Sequence, residues 1–157
     1  MSLHSKQLGF TLIEMMIVIG LLLILTGIAV PNFLSYLPKN RLNGAARQVM
    51  GDLMAARMQA VSQNNEFKVF FLNDHEYQIL DDDDNDGNID GGEWTQTKDI
   101  QSEYSDVTFS ASANPIFYPK GTAYGSTITL TSAADSNLKK YVKVASTGRV
   151  KIDDTLL

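Results

Sequence analysis

Residues 10–30, FTLIEMMIVIGLLLILTGIAV, form an apolar run that decides how the rest of the chain is organised. As a helix rising about 1.5 Å per residue, this run would be roughly 31 Å long, enough to cross the hydrocarbon core of a bilayer. The nine residues before it contain Lys6 and no acidic residue, so the positive-inside rule places this flank in the cytoplasm. The sequence therefore predicts one membrane-spanning helix, with everything after Val30 on the far side.

A carboxylate inside the apolar run, Glu14, distinguishes it from an ordinary secretory signal peptide. A signal peptide has a shorter apolar core and a small-residue cleavage site on its far side. An Asp, Lys or Arg at the centre of a membrane helix costs about 2.5–3.5 kcal/mol on insertion scales, and less near an interface. We therefore interpret Glu14 as a functional residue that needs a positively charged partner.

The string KQLGFTLIEMMIV at residues 6–18 closely resembles the leader of type IV prepilins and type II secretion pseudopilins. The resemblance implies cleavage after Gly9 by a prepilin peptidase, followed by N-methylation of Phe10. It also implies that Glu14 pairs with the N-terminal amine of a neighbouring subunit during assembly. The physical chemistry agrees, because cleavage creates an ammonium group at Phe10 and a carboxylate in low dielectric needs a cation.

A second resemblance lies in the C-terminal half, at residues 117–123 (FYPKGTA), 127–130 (TITL) and 146–150 (STGRV). These strings look like the core of the pseudopilin H and minor-pilin group. The resemblance implies a structural subunit of a type II secretion pseudopilus or a type IV pilus. Its partners would be other subunits, the prepilin peptidase and an inner-membrane assembly platform. It would be anchored in the bacterial inner membrane, with its C-terminal domain in the periplasm or in an extracellular filament.

After the anchor, apolar residues recur at helical spacing up to about Ser62, where the string QNN ends the pattern. The predicted core stripe is Leu42, Ala46, Val49, Leu53, Ala56 and Ala60, and we expect the methionines beside it to fill the core as well. The chain then divides into a leader (1–9), a transmembrane helix (10–30), an amphipathic helix (31–63) and a β-rich domain (64–157).

The β-rich domain begins where the apolar period changes to two, at Glu66. Further strands are predicted at 77–80, 94–100, 106–110, 115–118, 126–131, 138–146 and 149–153, the last two forming a hairpin about Gly148. The predicted fold class is α+β, with a long N-terminal helix packed on an antiparallel sheet as in pilins. Gly121 and Gly148 would supply turn geometry, and Arg149 is interpreted as a surface charge.

An acid-rich loop at residues 81–93 interrupts the predicted strands. Its residues 82–93, DDDNDGNIDGGE, match the calcium-loop pattern D-x-[DN]-x-[DN]-G-x5-E without a gap. The predicted ligands are Asp82, Asp84, Asp86, Asn88 through its carbonyl, Asp90 and Glu93. Oxygen donors without nitrogen or sulfur favour Ca²⁺ in a structural role. The alternative is a solvated acidic loop, because the flanks look like strands whereas paired EF-hands use helices.

Catalytic chemistry is not indicated, and the sequence predicts that the protein is not an enzyme. The chain has no cysteine and two histidines, His4 in the leader and His75. No nucleotide-binding, zinc-protease or nucleophile-elbow pattern occurs in it. His75 stands between Asp74 and Glu76 at a predicted turn, which is typical of a surface histidine.

A second hypothesis is a tip subunit that binds a ligand or DNA. Strand alternation places Lys139, Tyr141 and Lys143 on one face, which makes a small basic and aromatic patch. Lysines also protect exposed edge strands from aggregation, and the formal net charge of -5 does not favour nucleic-acid binding. Binding to nucleic acid is therefore the less favoured alternative.

Overall fold

The computed structural model describes residues 10–82 and 93–155. The described chain begins with one long helix, α1 (Leu12–Gln63), which continues through Pro31 and Pro38. The strands that follow are β1 (Glu66–Phe71), β2 (Glu76–Asp82), β3 (Thr95–Asp99), β4 (Val107–Ala111), β5 (Ile116–Phe117), β6 (Ala123–Tyr124), β7 (Ser126–Ser132), β8 (Lys139–Val144) and β9 (Val150–Asp153). A short 3₁₀ turn, Ile100–Ser102, follows β3.

The chain separates into two units, Met1–Leu37 and Pro38–Leu157, and α1 contributes to both. In the first unit the helix has a mean hydropathy of 2.6 over its most apolar window, and it is long and apolar enough to cross a membrane. Its large apolar side chains are exposed in the single chain, from Phe10 to Tyr36. Solvation by lipid or by other protein is therefore required along this stretch.

The second unit contains two antiparallel sheets, with strand orders β3-β2-β1-β5-β6 and β4-β7-β8-β9. One stripe of α1 is buried in this unit: Leu42, Ala45, Ala46, Val49, Leu53, Ala56 and Ala60. The stripe joins a single core with buried residues of both sheets, including Phe67, Tyr77, Phe109, Phe117 and Leu130. The Pro38–Leu157 unit therefore carries its own complete hydrophobic core, and the α+β prediction is confirmed.

The end of α1 turns the chain towards β1. Asn64 has a positive φ of 58°, and the N–H of Asn65 donates to the carbonyl of Ala60 at 3.1 Å. A left-handed residue after the last helical turn, together with this bond across five residues, is a Schellman motif. Asparagine tolerates the left-handed conformation better than most residues, which explains why the string QNN ends the helix.

The sequence predicts one antiparallel sheet, whereas the strands divide into two. The other differences are local. Met50 packs against the core, but Met54 and Met58 are exposed, so the expectation that the methionines fill the core is wrong for these two. They lie beside the buried stripe and line a surface depression together with Gly148 and Val150. The two-residue strand β6 was not predicted, because it is too short for a period-two pattern to be detected.

Candidate assembly helix and calcium loop

The start of α1 is capped by its own side chains. Thr11 precedes the first helical residue, and its Oγ1 accepts the backbone N–H of Glu14 at 3.3 Å. Thr11 and Glu14 thus have the spacing of a capping box, in which a threonine cap is followed three residues later by a glutamate. Glu14 also lies in the first turn, where the helix macrodipole favours a negative charge. The sequence signal for this cap is T-x-x-E, which was not recognised in the sequence analysis.

The residues predicted for processing stand directly before this cap. Phe10 is described and is 80% exposed, while Gly9 lies outside the described residues. Glu14, on the first turn of the helix, is also exposed. Phe10 and Glu14 are therefore both available to a neighbouring molecule.

The two ends of the predicted calcium loop are brought together by the β2–β3 ladder. Leu80 pairs with Thr95, and the N–H of Asp81 donates to the carbonyl of Trp94 at 3.0 Å. These bonds place Asp82 and Glu93, the first and twelfth positions of the calcium pattern, just beyond the same end of the ladder. The Oδ1 atom of Asp82 and the Oε1 atom of Glu93 are both shielded from solvent. Convergent carboxylates at the two ends are what the pattern requires of a closed loop.

Asp82 also has a cationic neighbour in the protein. It is completely buried, and its Oδ2 forms an ion pair with the ammonium of Lys68, which is itself 7% exposed. The two residues are diagonal neighbours on one face of β1 and β2, because Asp82 is registered opposite Glu66. Lys68 therefore offsets part of the negative charge at this end of the loop. The sequence did not reveal this pairing, because a lysine in a strand is normally exposed.

The remaining predicted metal ligands are Asp84, Asp86, Asn88 and Asp90, and they lie outside the described residues. The described chain therefore gives the geometry of the first and last positions of the pattern. At those two positions it provides carboxylate oxygens, which suit a hard cation such as Ca²⁺.

Polar contacts connect the second part of α1 to the first sheet. The Asp52 carboxylate accepts hydrogen bonds from the hydroxyl of Tyr77 and from the ammonium of Lys98, the latter at 2.6 Å. Burial raises the pKa of Tyr77 far above its usual value, and the hydrogen bond to Asp52 and its negative charge raise it further. The phenol therefore stays protonated and acts as a donor. This contact fixes the rotation of α1 over β2 and β3.

The two glycine turns of the C-terminal resemblance meet at a helix residue. Arg57 Nε donates to the carbonyl of Gly121 at 3.0 Å. Gly148 has a φ of +77°, and a Cβ built on it would lie 2.0 Å from the Gly121 carbonyl oxygen and 2.6 Å from Arg57 Nε. Only glycine fits this position. The strings FYPKGTA and STGRV thus form one structural junction against α1. Arg57 holds this junction, and no local sequence pattern indicates that role.

In the basic patch of the alternative hypothesis, one of the two lysines, Lys143, is paired with an acid. Asp153 pairs with Lys143 at 3.1 Å and with Lys151 at 2.7 Å, and Lys140 pairs with Asp154. Hydrogen bonds from Lys151 and Lys143 hold the pKa of Asp153 below its ordinary value. Lys139 and Arg149 are exposed, as predicted for Arg149. A paired cation attracts phosphates weakly, and binding to a nucleic-acid backbone needs several phosphate contacts, so the patch does not favour nucleic-acid binding.

Solved structures with the same fold are pilin components. The type IV minor pilin FimU of Pseudomonas aeruginosa (strain PAO1) has 19% sequence identity and a TM-score of 0.58, over 73% of this chain and 90% of that chain. The minor pseudopilin EpsH of the Vibrio cholerae type 2 secretion system has 10% identity and a TM-score of 0.58, over 73% of this chain and 97% of that chain. No sequence among the curated proteins matches the chain. The chain therefore shares its fold with a minor pilin and a minor pseudopilin.

Two family models specify the class further. Residues 4–30 match the prokaryotic N-terminal methylation motif, and residues 45–148 match the type II transport protein GspH. The GspH match covers most of the Pro38–Leu157 unit, including the junction of Arg57, Gly121 and Gly148. The chain belongs to the GspH family, and it is a minor pseudopilin or pilin subunit of a type II secretion system or a type IV pilus.

Proposed function

We propose that this protein is a non-catalytic structural subunit that enters a filament through α1. The observation that carries the proposal is the first unit, where a capped helix exposes large apolar side chains and one carboxylate. The methylation motif over residues 4–30 and the GspH match support the same function. Other pilin-like subunits are the partners that the family implies.

The proposed processing follows from the start of α1. A prepilin peptidase on the cytoplasmic face would cut between Gly9 and Phe10, and methylation would follow on Phe10. The anchor would then lie in the bacterial inner membrane, with the Pro38–Leu157 unit on the periplasmic side until an assembly platform extracts the subunit. Lys6 in the cytoplasmic flank supports this orientation.

Replacing Glu14 by alanine tests the assembly role. We expect Glu14→Ala to insert into the membrane and to be processed, but to be lost from sheared filaments by tenfold or more. The reason is that a carboxylate in low dielectric pairs with the ammonium that cleavage creates on a neighbour. Fractionation and immunoblotting of membranes and filaments would measure both properties.

Ser35→Ala is the matched control, because it removes a polar group of α1, a hydroxyl bonded to the Asn32 carbonyl, without removing a charge. Incorporation of Glu14→Ala at the level of this control would contradict the proposed role of Glu14.

We also propose that Ca²⁺ binds residues 82–93 and stabilises the second unit. The support is the convergence of Asp82 and Glu93 at one end of the β2–β3 ladder, with a shielded oxygen on each. Because Lys68 offsets part of the local charge, we expect weak binding, with a dissociation constant of about 10⁻⁴–10⁻³ M as in extracellular modules.

Thermal unfolding of the Pro38–Leu157 fragment tests the calcium proposal. Calcium at a hundredfold excess over the dissociation constant should stabilise the fold by about 2.7 kcal/mol, and magnesium by less. Calcium should therefore raise the melting temperature, and Glu93→Ala should remove most of this rise. Glu103→Ala is the control, because Glu103 is exposed and lies outside the loop, so the rise should remain. Identical melting curves in calcium and in chelator would reject the proposal and leave the acidic loop as a solvated surface feature.

A further inference from the structure

A second group of metal-ligating side chains lies at the opposite end of the β2–β3 ladder from the acidic loop. One nitrogen of His75 and one oxygen from each of Glu76 and Asp99 lie within 4.8 Å of one another, and all three residues are half-buried. In a zinc site with bonds of about 2.0–2.2 Å, ligand atoms are roughly 3.3 Å apart, a distance that small side-chain rotations can reach here.

The backbone holds these three residues in place. Glu76 is registered directly opposite Asp99 in the antiparallel ladder, and the N–H of Ile100 donates to the carbonyl of His75 at 2.9 Å. The three residues therefore come from two adjacent strand ends that are joined by main-chain bonds. A ligand that bound all three would not need to move the backbone.

Each of these side chains is also oriented by a neighbour outside the group. His75 Nδ1 lies 2.7 Å from Asp74 Oδ1, which leaves Nε2 for a ligand. Glu76 Oε2 accepts from Asn73 Nδ2 at 2.7 Å, and Asp99 Oδ1 accepts from the N–H of Gln101 at 2.8 Å. A carboxylate on the second histidine nitrogen is the usual outer partner of a zinc-bound histidine.

The electrostatics also favour a cation. Two carboxylates directly opposite each other on paired strands repel, and within residues 10–82 and 93–155 no lysine or arginine forms an ion pair with Glu76 or Asp99. The group therefore attracts positive charge.

We propose that His75, Glu76 and Asp99 form a surface site for a divalent metal of the zinc type. One imidazole and two carboxylates favour zinc over calcium, because calcium sites use oxygen donors alone. Three protein ligands leave a fourth position for water or for a group on a partner. A metal here would join the first residue of β2, the last residue of β3 and the residue before β2.

The site is independent of the calcium proposal, because it shares no residue with the loop and lies at the other end of the ladder.

Zinc titration of the Pro38–Leu157 fragment by calorimetry tests the proposed site, with calcium present in millimolar excess to occupy the acidic loop. His75 is the only histidine of this fragment, since the other histidine is His4. Its imidazole proton signals in an NMR spectrum therefore report the site without ambiguity.

We expect one saturable zinc equivalent and a shift of the His75 imidazole signals. His75→Asn and Asp99→Asn should each weaken zinc binding at least tenfold, and Asp74→Asn should weaken it by about 10–100-fold through loss of the outer hydrogen bond. Glu103→Gln is the matched control, because it removes one exposed carboxylate near Asp99 and keeps the three ligands. Each variant should keep the wild-type circular dichroism spectrum.

Two results would overturn the proposal. One is the absence of saturable zinc binding to the folded wild-type fragment. The other is binding of equal strength in wild type and His75→Asn, with unshifted imidazole signals in wild type, since zinc would then be held by other carboxylates. Failure of the calcium experiment would leave both readouts unchanged.

Discussion

Two stretches of the single helix α1 differ in where their apolar side chains go. In residues 12–37 leucine, isoleucine and methionine predominate and are exposed, whereas in residues 38–63 the buried stripe contains four alanines together with Leu42, Val49 and Leu53. Small side chains let strands approach a helix closely, and large ones suit a surface that is covered from outside the chain. The comparison teaches that hydrophobicity alone does not locate the core, because the most apolar stretch of the helix is exposed in the single chain.

The largest effect is expected when a leucine side chain is truncated to alanine in each stretch of the helix. Leu53 is 1% exposed and Leu23 is 69% exposed. Leu53→Ala should lower the free energy of unfolding by about 2–5 kcal/mol, because it leaves a cavity in the core. Leu23→Ala should change it by less than about 0.5 kcal/mol. Denaturant unfolding of the full chain in detergent micelles, followed by the fluorescence of Trp94, would measure both.

Equal losses of stability in Leu53→Ala and Leu23→Ala would show that the first stretch also packs within the chain.

A smaller change in stability is expected when alanine replaces a glycine of the helix. A Cβ added to Gly44 would lie 2.6 Å from Cε1 of Tyr104, whereas one added to Gly27 meets nothing within 4 Å. Gly44→Ala should therefore cost about 1–3 kcal/mol, since overpacking displaces the Tyr104 ring. Gly27→Ala should be neutral or slightly stabilising, because alanine is the better helix former. In micelles the melting temperature should fall for Gly44→Ala and should stay the same or rise slightly for Gly27→Ala. A stabilised Gly44→Ala would refute the close approach to Tyr104.

The smallest effect is expected at the exposed ion pair between Arg41 and Asp106, whose nitrogen and oxygen are 3.4 Å apart. Arg41→Gln should lower the free energy of unfolding by less than about 1 kcal/mol, because water screens exposed pairs. High salt should reduce even this difference. A double-mutant cycle with Arg41→Gln and Asp106→Asn, measured at low and at high salt, would give the coupling free energy of the pair. A coupling that persisted at high salt would contradict the assignment as a surface ion pair.

Much of the fold follows from short-range patterns that the sequence displays directly. The core stripe of α1 has helical spacing, the string QNN contains the left-handed Asn64, and β7 alternates buried and half-buried residues along its length. These patterns depend on residues a few positions apart, and they predict the helix, its end and the strands. The leader resemblance was likewise carried by one continuous string.

The rest depends on contacts between distant residues, which no local pattern reports. Asp52 meets Lys98, and Arg57 meets Gly121, across separations of 46 and 64 residues. Likewise, the burial of Lys68 depends on Asp82 in the neighbouring strand. In each case a charged residue on an otherwise ordinary helix or strand acquires its role from the tertiary fold. The division of the strands into two sheets has the same origin.

The polar contacts of α1 also determine how mechanical load passes through the second unit. Arg41 contacts Asp106 just before β4, Asp52 contacts Lys98 of β3, and Arg57 contacts Gly121 in the turn between β5 and β6. The first and last of these helix residues are 16 positions apart, or roughly 24 Å along the helix. A pull applied to α1 is thus shared among three separated points and the alanine stripe between them. Force along the helix axis has to shear these contacts together, whereas force across it would peel them one at a time.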